Sequence, residues 1–204
     1  RGFLARESGQ PDGEMPPIMT GEVTITGYVH RNEYGDENAQ TPHGDQVRLI
    51  NSDSLGEALG SAGDARRFAA QLVNGFELER PALAALALSA DTSTLAPVAA
   101  ELDPKALFAR QIAAFGHPGD ILVTLSANPG SARVLGAIAA AHERDMRVIA
   151  LTGADGGRIA EALGPADILL CAPADRTARI QELHLLILHC LCDGIDCLLL
   201  GVED

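Results

Sequence analysis

The chain has 204 residues, 47% hydrophobic, with only 3% aromatic residues, no tryptophan and a formal charge of −13 at pH 7. That length and apolar content suit one packed α/β domain with or without an appendage. The acidity runs against the basic footprint that holds a nucleic-acid backbone, so no nucleic-acid partner is expected.

Residues 1–59 differ in character from the rest. They are rich in Gly, Pro, Asp, Asn and Glu, and two short stretches, Glu22–Val29 and Gln46–Ile50, alternate like strands around a polar stretch from Arg31 to Gly44. The segment is β-leaning, with a composition that also fits partial disorder, and is too small to bury a core alone. Arg1–Arg6 has no long apolar run behind it, so a secretory leader is not expected.

From Gly60 onward, helix and strand patterns alternate. Ser61–Asn74 reads as a helix with Ala65, Phe68, Ala69 and Leu72 on one face. Leu83–Leu88 is a continuous apolar run, as in a strand covered on both faces. Asp91–Glu101 reads as a helix; another opens at Asp103-Pro104, with Asp as cap and Pro in the first turn, and closes at Gly116. Then follow a strand over Asp120–Leu125, a helix from Asn128-Pro129 to about Arg144, a strand over Met146–Leu151, a short helix between Asp155 and Gly164, and a strand over Ala166–Leu170. Such alternation predicts a three-layer α/β sandwich around a parallel sheet, with ligands bound at the carboxyl ends of the strands.

Two strand-to-helix turns reach that end. Ser126-Ala127-Asn128-Pro129-Gly130-Ser131 offers hydroxyls and a helix amino end, the parts of an anion site. It reads equally as an ordinary capped helix start. Thr152–Gly157 has glycines that allow close backbone approach, or serve a plain tight turn. Ser61 and Asp64 at the first helix, and Asp91 with Thr92 after the second strand, are positioned to face the cleft or to cap helices. His117 and His142 read as solvated.

The last pattern, Thr177–Asp193, is a helix ending before Gly194 and apolar nearly all round, which predicts burial on every side. It nevertheless carries Gln181, Glu182, His184 and His189. Gln181 and His189 fall about 80° apart, two turns from each other, and Glu182 lies nearer still to the line of His189. A carboxylate beside an imidazole would fix its tautomer for acid/base work; the same residues would also serve as a polar seam at a subunit contact. Leu183–Cys192 is too short to span a bilayer. The four cysteines, Cys171, Cys190, Cys192 and Cys197, are read as reduced, buried thiols of a cytoplasmic protein, and with His189 they match no zinc spacing.

Thr177–Leu186 with His189–Asp193 resembles the final helix of bacterial phosphoheptose isomerases, members of the sugar-isomerase (SIS) superfamily. The likeness continues through Gly60–Ala65, Glu79-Arg80-Pro81, Asp91–Leu95, Gly116–Asp120 and Ala150–Gly153, and so covers residues 60–204. It implies a five-stranded parallel sandwich that binds a phosphosugar, forms a homo-oligomer (usually a tetramer) in the cytoplasm, and interconverts sedoheptulose 7-phosphate and a glycero-manno-heptose 7-phosphate for lipopolysaccharide heptose synthesis. Many relatives bind zinc. A close relative lacks the isomerase activity and is a tetrameric partner of the replication initiator DnaA.

The resemblance also implies roles. Ser61, Ser126 and Ser131 would hold phosphate, with Asn128, Asp91 and Thr92 lining the substrate site; Gln181 and His189 would be metal ligands, His189 the acid/base and Gln181 a substrate-positioning group. The first helix departs from the pattern: where the family has His and, four residues on, Glu, this chain has Arg67 and Gln71. The usual two amino-terminal helices have no counterpart in residues 1–56, which leaves Gln46–Ile50 to supply the missing first strand. Residues 1–59, part of which faintly resembles a stretch of the Surfeit-type cytochrome-oxidase assembly proteins, are expected to be a separate, unassigned segment joined to the SIS domain.

Overall fold

Five parallel strands form the sheet in the order β2-β1-β3-β4-β5. The computed structural model describes residues 47–51, 58–89 and 105–200. In chain order the elements are β1 (Val47–Asn51), α1 (Ala58–Asn74), β2 (Ala85–Ala87), α2 (Ala106–Phe115), β3 (Ile121–Leu125), α3 (Ala132–His142), β4 (Arg147–Gly153), α4 (Gly157–Ala162), β5 (Ile168–Ala172) and α5 (Thr177–Leu200).

β1 lies between β2 and β3 and pairs with both, Val47 opposite Ala85 and Ile121. The sheet therefore draws a strand from upstream of residue 60, in the place expected for Gln46–Ile50. The amino-terminal strand expected over Glu22–Val29 and the helix over Asp91–Glu101 lie outside the described residues.

Period-two alternation explains the three layers. In β3, Leu122 points to one face and Val123 and Leu125 to the other; in β4, Val148 and Ala150 oppose Leu151. The first face packs against α2, α3 and α4 through Phe108, Ile112, Val134, Ile138 and Ile159. The second packs against α1 and α5 through Phe68, Leu72, Ile187 and Leu188. The pair α1 and α5 thus shares one face of the sheet, and all four positions implied for a metal lie on these two helices.

Several boundaries correct the sequence reading. α1 begins at Ala58, so Ser61 lies within its first turn. β2 is a three-residue edge strand with Leu86 40% exposed, because β1 covers only one of its sides. α3 is capped by Ser131, whose Oγ accepts from the Val134 N–H, rather than by Asn128. α5 runs through Gly194 to Leu200, with Ile195 and Asp196 packed beyond the glycine.

α5 is also not buried all round. Ile180, His184, Ile187, Leu188, Cys192 and Asp196 face the sheet and α1, while Leu186 is 48% and Leu198 67% exposed. At 24 residues it is long and apolar enough to cross a membrane by length and composition, in contrast to the short run expected. Its buried His184 and Asp196 belong instead to a packed polar arrangement against this chain's own sheet and loops.

Candidate functional site

The carboxyl ends of β3 and β4 bring the two predicted turns into contact. The Ile159 N–H donates to the Pro129 carbonyl at 3.0 Å, and Gly157 approaches Pro129 so closely that a Cβ would stand 3.0 Å from the proline ring. Gly153 makes a similar allowance for α5: a Cβ there would meet Ile180 Cδ1 at 2.3 Å. The glycines let one turn lie against its neighbour and the last helix lie against the sheet end.

The 126–131 loop is closed by its own polar groups. Buried Ser126 donates from Oγ to the Asn128 carbonyl at 2.7 Å and accepts from the Asn128 N–H at 3.1 Å. Asn128 Oδ1 accepts from the Gly130 N–H at 2.9 Å, and Ser131 is spent on the α3 cap. The capped-helix reading of this loop holds: the Ser126 and Ser131 hydroxyls serve as local turn and cap groups at the amino end of α3. Ser61, 2% exposed, comes from α1. Asp91 and Thr92 lie outside the described residues.

Across the helix pair, α5 contributes Gln181 and His189, both part-buried. The His189 ring stacks on Phe76 with centroids 5.3 Å apart and planes 28° from parallel. α1 contributes Asp64, Arg67 and Gln71. Burial pushes the Asp64 carboxyl up from its ordinary range, and the charges of Arg67 and His189 oppose that rise. Asp64, Arg67 and His189 therefore share one electrostatic neighbourhood. Gln71 Oε1 lies 3.7 Å from the Cys192 thiol, which is positioned to donate to it.

Of the two readings left open for Glu182 and His189, the carboxylate–imidazole pair is not formed. Glu182 bonds Arg179 at 2.6 Å on the exposed side of α5, one turn away along the helix surface. The cysteines are free but not uniformly buried: Cys192 is, Cys190 is exposed, and Cys171 and Cys197 are intermediate. Burial, with Asp196 adding to it, pushes the Cys192 thiol up to about 12. His142 is not simply solvated either; its Nε2 meets Asp167 Oδ2 at 2.7 Å. His117 is exposed, as expected, with its side chain 59% accessible.

Sequence reasoning missed a buried clamp beneath the site. Arg80 Nε donates to Asp196 Oδ1 at 2.5 Å; its Nη1 donates to the Leu72 and Pro81 carbonyls and its Nη2 to the Gln71 carbonyl. One guanidinium thus caps the last turn of α1 and ties it to α5. Asp196 lies beyond Gly194, where the helix was expected to have ended, and Arg80 was visible only as part of the Glu79-Arg80-Pro81 motif. His184 was visible as a polar residue in an apolar helix. It is fully buried, with Nε2 3.2 Å from the Thr152 carbonyl at the end of β4.

A separate open groove of about 350 Å³ lies between α1 and β2, lined by Arg66, Ala69, Val73 and Leu86 among others. None of the predicted site residues lines it.

Residues 56–153 match the SIS domain family. A phosphoheptose isomerase of Azoarcus sp. strain BH72 is 62% identical over 145 residues, spanning 71% of this chain and 74% of that protein. A phosphoheptose isomerase of Aromatoleum aromaticum is 63% identical over 145 residues, with 71% and 73% covered. Among solved structures, a phosphoheptose isomerase from Neisseria gonorrhoeae superposes with a TM-score of 0.66 at 45% identity, covering 74% of this chain and 76% of its own. One from Francisella tularensis gives 0.68 at 39% identity, with the same coverage.

Proposed function

We propose a function from one premise: this chain belongs to the phosphoheptose isomerase family of SIS-domain proteins. It binds a phosphorylated seven-carbon sugar at the carboxyl end of the sheet and moves a proton between adjacent sugar carbons, converting ketose to aldose. Sedoheptulose 7-phosphate is the proposed substrate and a glycero-manno-heptose 7-phosphate the product, as a step toward lipopolysaccharide heptose.

The observation that carries this reading is His189, half-buried on α5, stacked on Phe76 and facing the same neighbourhood as Asp64 and Arg67. Its imidazole can accept the proton from the carbon beside the carbonyl and return it to the neighbouring carbon. Gln71 cannot share that work, because an amide side chain does not take up a proton at neutral pH. One base therefore carries the proton in both directions. The phosphate group would sit at the amino end of α3 against Asn128 and Ser131, with Ser61 and Ser126 behind it. Gln181 would hold a sugar hydroxyl.

A cytoplasmic homo-oligomer completes the proposal; the exposed Leu186 and Leu198 on α5 support a covered face in an assembly. Arg67 and Gln71 favour one second reading, a non-catalytic oligomeric scaffold similar to the DnaA initiator-associating protein. Incubation of the purified chain with sedoheptulose 7-phosphate separates the two. Heptose 7-phosphate should form, and His189→Ala should abolish its formation. Thermal stabilisation by the sugar phosphate without any turnover would favour the scaffold.

A further inference from the structure

Zinc takes about four nitrogen, sulfur or oxygen donors in a tetrahedral set. The positions that the family resemblance offers between α1 and α5 are Arg67, Gln71, Gln181 and His189, and they do not fit that ion. A guanidinium has no lone pair to give and carries its own positive charge. The Gln71 amide oxygen faces the Cys192 thiol. Among the described residues, no group of three or more His, Cys, Asp or Glu side chains is arranged to hold a metal. Of the four positions, His189 alone is a strong zinc ligand.

The same exchange changes the charge of the cleft. A neutral imidazole is replaced by a cation at Arg67, and a carboxylate by an amide at Gln71. We infer that the α1–α5 cleft binds no zinc: Arg67 puts a fixed positive charge where the family pattern has a neutral ligand, and Gln71 an amide where it has a carboxylate. This inference does not rest on the phosphosugar reading above.

The test uses the full chain. Wild type and Arg67→His/Gln71→Glu are incubated with zinc chloride, desalted and analysed for metal. Wild type should retain no stoichiometric zinc, and the double variant about one ion per chain. Stoichiometric zinc in wild type that is lost on His189→Ala would overturn the inference, whether or not the double variant folds.

Discussion

Arg80 and Asp196 form a buried ion pair that ties the last turn of α1 to α5. Their side chains are 0% and 4% exposed, so each charge depends on the other. Removing one leaves the other buried without compensation, which costs about 3–5 kcal/mol. Arg80→Ala should therefore lower the urea midpoint by that amount of stability, while Glu182→Ala, which breaks an exposed pair, should cost under about 1 kcal/mol. His184 acts through protonation. Burial holds its imidazole neutral by lowering its pKa, against the smaller opposing pull of the Thr152 carbonyl. The unfolded chain, titrating near the ordinary value of about 6.5, binds more protons below that pH than the folded chain does. The contribution of His184 to stability is thus complete above about pH 6.5 and declines as the pH falls toward the depressed folded value. Urea midpoints between about pH 7.5 and 5.5 should drop more steeply for wild type than for His184→Asn.

At the scale of elements, α5 carries the main test of how sequence specifies this fold. Gly194 sits inside the helix with open space where a Cβ would stand. Gly194→Ala should therefore raise stability by about 0.5–1 kcal/mol in urea unfolding, and a loss would mean that the helix ends near Asp193. The strand and helix alternation was legible because β3, β4 and their flanking helices carry long, strongly periodic apolar patterns. What escaped were features that local pattern does not encode. Gly194 resembles a helix stop, and only the packing of Ile195 and Asp196 on the far side of it carries the helix onward. Leu83–Leu88 resembles a central strand, yet the sheet order leaves Ala85–Ala87 at the edge. Ser131, not Asn128, caps α3 because Asn128 is already bonded to the turn that precedes it.

For the whole molecule, the site was half legible. Gln181 and His189 were marked by being polar in an apolar helix, and Ser126, Asn128 and Ser131 by their place after a strand. The Arg80–Asp196 clamp joins residues 116 positions apart, and no periodicity announces such a pair. The stacking of His189 on Phe76 is likewise a tertiary contact. Together these features make a frame in which two helices on one sheet face are joined by a buried ion pair, with the His189 imidazole stacked on Phe76. Under the proposed function the chemistry rests on His189, because the Gln71 amide cannot take up a proton at neutral pH. The most direct measurement is an incubation with sedoheptulose 7-phosphate in deuterium oxide containing EDTA, followed by NMR of the sugar. Deuterium should enter the carbon beside the carbonyl with wild type and not with His189→Ala. Equal incorporation by both proteins, or none by wild type, would contradict the account.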